Sequence, residues 1–571
     1  MFRAKIVNML IICLFSFLTI GLFNLQVFHG QKYKELSDRN CIRLIPQKGA
    51  RGKILDREGN ILADSRLSYD VMILPQDLDQ VDKSLMSTSR ILDLSFNNLK
   101  STFKNGFISM SMPVTIVKNI DIKKAIALEQ LKTEIPGLII ESNPVRHYPY
   151  ASLASHILGY VNEIDRWRLT KLADYGYKTK DIVGFGGIEE KYDYYLRQEE
   201  GGLSVEVNHR GRIVRALGFS PAHNGKDLQL TLNLNLQKIV EEKLRDRTGC
   251  VIIMDPRTGE ILAMASAPNF NSQAFVDKQN SSILGLLNDP DSPLLNRAIS
   301  AAYPAGSIFK VIVATAALET KKINLSTTFI CHGKMLIGKK EFACWSTHNE
   351  QNLISAIAHS CNVFFYNTGL LVGAQTIHDS AVKFGSSRPT AFDLPYETNG
   401  FIPSPLWRKI NKFKNWYNGD TANLSIGQAD VSVTPLQLLR MMAVFANRGN
   451  LVTPYIVKSI DGRDISAYQR KITNLSFKTT TIDYVRKGLR EAILDPGGTG
   501  NVLSGLPAAV AGKTGTAQAP PGQPHAWFVG FFPFNNPKYA ICVFLERGGP
   551  GYYSCVLAKE IIEAMIAQGL I

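Results

Sequence analysis

Residues Val7 to Phe23 read Val-Asn-Met-Leu-Ile-Ile-Cys-Leu-Phe-Ser-Phe-Leu-Thr-Ile-Gly-Leu-Phe, an apolar run without a charge. With Leu25 to Phe28 it reaches the roughly 20 residues a helix needs to cross a bilayer. Arg3 and Lys5 precede it, and positive charge on that side predicts an N-terminus in the cytoplasm. No small-x-small cleavage site follows, since the chain continues Asn24-Leu25-Gln26-Val27-Phe28. The run therefore reads as an uncleaved signal anchor. No later segment matches its length and apolarity, so the expectation is one span, with the bulk of the chain outside the cytoplasmic membrane.

The chain has 571 residues, too many for one core at about 150 residues per domain. An apolar content of 45% fits a globular protein. The formal charge is +15, yet no zinc-finger, RNP-type or basic-helix pattern accompanies it, which argues against nucleic acid. The cations are spread along the chain, as on a solvated surface near anionic lipid or polymer.

In order, residues 1–30 form a cytoplasmic stub and the anchor, and Gln31 to Ile45 looks helical. Alternation around Glu58-Gly59-Asn60 predicts a hairpin. Tyr69 to Leu74 reads as a strand and Asp121 to Glu134 as an amphipathic helix. Gly184-Phe185-Gly186-Gly187 lacks the lysine of a phosphate loop and introduces a predicted helix, Ile188 to Leu196. Nothing before residue 220 supplies a nucleophile or a metal cluster, so residues 31–222 are expected to be a mixed α+β scaffold, the pedestal. Residues 223–571 read as an α/β domain. Its strands are expected at Asp227–Leu232, Gly249–Met254, Ile261–Ser266 and Lys538–Glu546. Its helices are expected at Leu234–Arg245, Ser307–Leu318, Thr434–Arg448 and Val556–Gln568.

Three motifs in this second domain carry chemistry. In Tyr303-Pro304-Ala305-Gly306-Ser307-Ile308-Phe309-Lys310, Pro304 and Gly306 break the backbone before an apolar run that reads as a buried helix. That places Ser307 at a helix N-terminus with the Lys310 amine one turn below its hydroxyl. A serine needs a neighbour to take its proton, and an amine in an apolar pocket has the lowered pKa to do so. Ser360-Cys361-Asn362 follows, leading into the apolar run Val363-Phe364-Phe365-Tyr366. Lys513-Thr514-Gly515-Thr516 comes after a strand-like stretch, Ala508 to Ala511.

The ordered set Ser-x-x-Lys, Ser-x-Asn, Lys-Thr-Gly resembles the penicillin-binding protein and serine β-lactamase superfamily. Further stretches are similar to class B penicillin-binding proteins. They include Arg51-Gly52…Asp56-Arg57-Glu58-Gly59, Tyr148-Pro149…His156…Gly159-Tyr160-Val161 and Gly187-Ile188-Glu189. Met254-Asp255-Pro256-Arg257-Thr258-Gly259-Glu260 and Ser425-Ile426-Gly427-Gln428…Thr434-Pro435 extend the likeness over almost the whole chain. Cys344-Trp345 and the segment between Ser307 and Ser360 look like the elongation-type branch.

The resemblance implies a transpeptidase domain with an antiparallel sheet flanked by helices, and a serine-type D-Ala-D-Ala transpeptidase inhibited covalently by β-lactams. By that likeness Ser307, Lys310, Ser360, Asn362 and Lys513 are catalytic, while Thr514, Gly515 and Thr516 bind substrate. The Ser307 and Thr516 N–H groups would form the oxyanion hole. Implied partners are stem peptides ending in D-Ala-D-Ala, a membrane glycosyltransferase of the shape, elongation, division and sporulation (SEDS) family, and the elongation machinery. A division-specific class B enzyme, a β-lactamase and a β-lactam sensor are the alternatives. A β-lactamase needs a deacylating base that no Glu-bearing loop supplies, and a sensor needs a cytoplasmic output domain that the short N-terminal stub does not provide.

Cys331, Cys344, His348 and Cys361 are spaced Cys-x12-Cys-x3-His-x12-Cys, four ligand types that suit tetrahedral zinc. His332 competes as a ligand, and a Cys331–Cys344 disulfide is the rival reading. Some elongation-type relatives resemble this in carrying zinc in the same segment. Acyl transfer itself is expected to need no cofactor. Cys41, Cys250, Cys542 and Cys555 read as structural, His156 as a packing or hydrogen-bonding residue, and His525 as a residue of the loop after the third motif and a candidate for substrate contact.

Overall fold

A computed structural model describes residues 2–78, 80–110, 112–135, 137–208 and 213–571. The anchor run is helical from Phe2 to Phe23, continues as a wider turn over Asn24–Phe28 and then as Gly30–Cys41. Ala4–Phe28 is long and apolar enough to cross a membrane, with a mean hydropathy of 2.5. The expected helix over Gln31 to Ile45 stops early, because Ile42–Gln47 pairs as a strand with Gly201–Val207.

Two compact units emerge, and the chain passes between them repeatedly. One holds residues 1–51, 65–145 and 197–225, and the other holds 52–64, 146–196 and 226–571. This division interleaves with the expected pedestal of residues 31–222, since 52–64 and 146–196 cluster with the C-terminal residues. Periodicity did not show this exchange because it depends on which buried surfaces match.

In the first unit, Val71, Ile73, Val114 and Ile116 from two paired strands pack on Leu85, Leu92, Leu99 and Phe103 of helices Val81–Leu92 and Phe96–Gly106. The predicted 121–134 helix is Ile122–Gln130, with Asp121 as its N-cap accepting from the Lys124 N–H.

The second unit is built on a five-stranded antiparallel sheet. Its strands are β1 (Gly249–Met254), β2 (Ile261–Ala267), β3 (Ala511–Ala517), β4 (His525–Phe532) and β5 (Tyr539–Leu545), in the order β2-β1-β5-β4-β3. The strands are apolar on both faces, and side chains alternate across a sheet. Cys250, Ile252, Trp527, Val529, Cys542 and Phe544 accordingly enter one core, and Val251, Ile253, Phe528, Ile541 and Val543 the other. Helices α1 (Leu234–Leu244) and α6 (Tyr552–Ala567) cover the second face. The first core takes in α2 (Lys310–Glu319), α3 (Asn362–Val372) and α4 (Pro435–Ala446), and α5 (Thr479–Leu494) packs beside them. Burial on both faces explains why helix α2 is apolar all round. Strand β3, which carries Lys513-Thr514-Gly515, forms the sheet edge.

The hairpin around Glu58-Gly59-Asn60 is present, with Gly59 at φ +90° and Asp56 accepting from the N–H groups of Glu58 and Asn60. The stretch expected as one helix, Ile188 to Leu196, is two short ones, Gly187–Lys191 and Asp193–Leu196. Glu189 in the first is fully buried against Arg146, at 2.6 Å.

Candidate active site

Ser307 sits in the first turn of a helical run, as expected, but that turn is not α-helical. It sits in a 3-10 turn, Gly306–Phe309, which hands over to α2 at Lys310. Gly306 lies at φ +53°, and a Cβ there would come within 2.9 Å of the Thr516 carbonyl oxygen. The left-handed residue and the close approach both need glycine, and they press the turn onto β3. Trp527, fully buried on β4, donates its indole N–H to the Pro304 carbonyl at 3.1 Å and fixes the turn from below. Residues three apart eclipse in a 3-10 turn, so Ser307 and Lys310 face the same way. Ser307 is half-buried, and its hydroxyl has no hydrogen-bond partner among the described residues.

The Lys310 amine is fully buried. It lies 2.7 Å from the Ser360 carbonyl oxygen, 3.1 Å from Ser360 Oγ and 2.6 Å from Asn362 Oδ1. Burial pulls its pKa down to about 8, because an apolar surround disfavours the charged form. Ser360 is a left-handed residue (φ +54°) between helices Leu353–Ala358 and α3, which turns both its carbonyl and its hydroxyl to the amine. Asn362 Nδ2 donates to the Ala343 carbonyl, which leaves Oδ1 for Lys310.

Lys513-Thr514-Gly515 lies inside β3 rather than after a strand. Lys513 is fully buried, with its amine 3.0 Å from the Thr514 carbonyl oxygen. Burial, and then the charge of Lys310, push its pKa well below the usual lysine range. Gly515 has the Ala305–Ile308 turn against it, since a Cβ there would stand 3.0 Å from Ile308 Cγ1. Thr516 is exposed, and its Oγ1 accepts from the Gly551 N–H at 3.0 Å, so its own O–H stays available.

Cys331, Cys344, His348 and Cys361 converge, with all four ligand atoms within 4.8 Å of one another. His348 Nδ1 is 3.6 Å from Cys331 Sγ and 3.5 Å from Cys344 Sγ. A tetrahedron with Zn–S of about 2.3 Å and Zn–N of about 2.0 Å has S···N edges of about 3.6 Å. The three cysteines are thiols here, without the 331–344 disulfide. The Cys361 thiol and the Asn362 N–H, the latter at 3.2 Å, donate to Cys344 Sγ and pull its pKa below the usual thiol range. His332 is not part of the cluster.

His525, expected in a loop, instead opens strand β4, is buried beneath the Tyr303 ring, and its Nδ1 accepts from the Arg547 N–H. Being packed there, it is not a loop side chain free to meet substrate. His156 is buried with Nε2 donating to the Pro293 carbonyl at 2.7 Å, and burial lowers its pKa to about 4. Cys250, Cys542 and Cys555 are buried thiols; the Cys41 side chain lies outside the described residues. Sequence reasoning missed the contribution of Trp527 to the nucleophile turn. A tryptophan beside Lys-Thr-Gly was the available signal.

A half-buried serine and a buried lysine on one helical turn, met by Ser360, Asn362 and an edge-strand Lys-Thr-Gly, define a serine acyl-transferring site of the penicillin-binding type. Residues 249–567 match the penicillin binding protein transpeptidase domain, and residues 46–230 match the penicillin-binding protein dimerisation domain. The chain is 32% identical to the peptidoglycan D,D-transpeptidase MrdA of Acinetobacter baumannii, covering 98% of this chain and 86% of that protein. Identity to MrdA of Escherichia coli K12 is also 32%, over 98% and 93%. The solved penicillin-binding protein 2 of Helicobacter pylori, in complex with MreC, superposes with a TM-score of 0.81 at 28% identity, covering 93% of this chain and 99% of that one. A Pseudomonas aeruginosa penicillin-binding protein 2 in complex with WCK 5153 gives 0.70 at 26%, covering 91% and 96%. The chain belongs to the class B penicillin-binding proteins, in the branch of penicillin-binding protein 2.

Proposed function

We propose that the chain is the membrane-anchored peptidoglycan D,D-transpeptidase of cell-wall elongation, working through an acyl-enzyme on Ser307. The observation that carries this reading is the buried Lys310 amine, bonded to Ser360 and Asn362 one turn from a serine hydroxyl that has no hydrogen-bond partner among the described residues. When the amine is neutral, its two N–H groups suit the Ser360 carbonyl and Asn362 Oδ1, and its lone pair is left for a hydroxyl.

Ser307 Oγ attacks the carbonyl of the penultimate D-alanine while Lys310 takes its proton. The N–H groups of Ser307 and Thr516 receive the oxyanion, each such donor supporting about 10²- to 10³-fold in rate. Ser360 relays the proton to the leaving amine as the C–N bond breaks and terminal D-alanine departs. An amine of a second stem peptide then attacks the ester, loses its proton to the same base, and frees Ser307. Lys513, Thr514 and Thr516 hold the terminal carboxylate, and Gly515 gives the backbone room to approach.

Cys331, Cys344, His348 and Cys361 are assigned as the ligands of one zinc ion. Bound zinc would act as a structural cross-link beside the active site. Cys361 lies between Ser360 and Asn362, so such a cross-link would stiffen that turn. By likeness to the neighbours solved with MreC and in a peptidoglycan synthase complex, the partners are the elongation machinery and a SEDS-family glycosyltransferase in the membrane. The N-terminus is assigned to the cytoplasm and the bulk of the chain to the periplasmic side.

The test is labelling with a fluorescent penicillin, followed by intact mass and peptide mapping. One adduct per chain on the peptide containing Ser307 is expected, and none in a folded Ser307→Ala variant. Stoichiometric acylation of that variant would remove the assignment.

A further inference from the structure

Ser360 offers Lys310 two acceptors only because its backbone is held left-handed, a conformation that is uncommon and costly outside glycine. Something has to hold it, and the neighbouring side chain is the place to look. Every polar group of His359 is engaged. Its N–H donates to the Ser355 carbonyl at 2.8 Å, and its carbonyl accepts the Trp345 indole N–H at 3.0 Å. Ring Nδ1 is 3.0 Å from Gln351 Oε1, and Nε2 is 3.3 Å from Asp495 Oδ2. The orientation of the Gln351 amide is settled by its nitrogen, which donates to the His348 and Glu350 carbonyls.

Asp495 is fixed in its turn. Its Oδ1 accepts from the Gly497 N–H at 2.7 Å, and its carbonyl accepts from Asn501 Nδ2 at 3.0 Å. The same loop reaches the Ser360 turn a second time, where the Thr499 N–H donates to the Ala358 carbonyl at 3.2 Å. It also runs close to the third motif, since a Cβ on Gly500 would lie 3.9 Å from Thr514 Cγ2. Residues 495–500 therefore form a brace behind the active site, bonded to the turn that holds Lys310 and lying beside the strand that carries Lys513.

We propose that His359 and Asp495 are a positioning pair for acyl transfer: the contact clamps the Ser360 turn so that its carbonyl and hydroxyl stay on the Lys310 amine, and ties that turn to the Lys-Thr-Gly strand. Neither residue touches substrate. The proposal rests on the assignment of Lys310 as the base for Ser307, and it extends that machinery to a loop outside all three motifs.

The test compares His359→Gln, Asp495→Asn and the double variant in the full-length, detergent-solubilised protein. Acylation by a fluorescent penicillin is followed against concentration, to separate the first-order acylation constant from the affinity of the non-covalent complex. Each single variant is expected to lower the acylation constant about 10- to 100-fold, the scale set by small misplacements of reacting groups. The affinity should stay within about twofold, and the double variant should be no slower than the worse single one, as for residues acting as a unit. Zinc content measured on the same samples should match the parent.

Equal acylation constants in all proteins, losses that multiply in the double variant, or a loss that appears in affinity alone would each overturn the proposal. So would loss of zinc in step with loss of acylation. If the parent protein itself fails to acylate on Ser307, the reading of the site has failed, and this control separates the two results.

Discussion

The amine of Lys310 and the carbonyl oxygen of Ser360 stand 2.7 Å apart although 50 residues separate them in the chain. The amine is thereby held in an apolar core with oxygen acceptors, and among the described residues no carboxylate bonds to it. A charged amine is disfavoured there, which is the physical basis of its pKa of about 8.

The acylation rate should follow deprotonation of this amine. Below pH 8 Lys310 is mostly charged and has no lone pair for the Ser307 proton. The second-order rate constant for β-lactam acylation is therefore expected to climb about tenfold per pH unit below the midpoint and to level above it. At pH 7 it should be about a tenth of its plateau value. Stopped-flow acylation between pH 6 and 10 measures this directly. A profile flat over that range would mean that the amine does not take the proton.

Gly515 has a second, steric role that can be isolated. A methyl group at this position would meet Ile308 Cγ1 at 3.0 Å, Trp527 Cβ at 3.1 Å and the Ala305 carbonyl oxygen at 3.3 Å. The strand cannot yield, because β4 pairs along its length. The Ser307 turn has to move instead. Gly515→Ala is expected to cost about 1–3 kcal/mol of stability by overpacking and to slow acylation by about 10²-fold through displacement of the nucleophile. Thermal unfolding and acylation kinetics on one preparation check both. Acylation at the parent rate would show that the turn is not held by this contact.

The three motifs were legible because each is a short run whose chemistry is local: a hydroxyl and an amine one turn apart, an amide after a serine, a lysine before a glycine. Their convergence was legible only through the family likeness. Helix and strand positions in the C-terminal half follow the apolar pattern closely, since β1, β2 and β5 lie within a residue or two of the expected ranges. The exchange of residues 52–64 and 146–196 between units left no such trace. It is held by Arg146, which donates to Glu189 and to the Gly52 carbonyl, and buried ionic contacts have no period. The 3-10 form of the Ser307 turn leaves no sequence trace for a related reason. A glycine at positive φ and a close strand are tertiary facts, and they replaced the expected N-terminal turn of an α-helix.

Zinc removal provides the last test. Cys344 Sγ accepts the Asn362 N–H at 3.2 Å, and Asn362 Oδ1 holds Lys310 at 2.6 Å. The proposed ligand cluster is thus one residue away from the support of the Lys310 amine. Purified protein is expected to contain one zinc per chain. His348→Ala or Cys331→Ser should lower that stoichiometry, reduce the melting temperature by several degrees and slow acylation by about 10-fold. Treatment of the parent with a strong chelator should give the same three changes, and added zinc should reverse them, because the ligands must be deprotonated thiolates and a neutral imidazole to rebind. Protein prepared without reductant that contains no zinc and shows a 331–344 disulfide by mass spectrometry would instead make the cluster a covalent cross-link, and acylation would then respond to reductant rather than to metal.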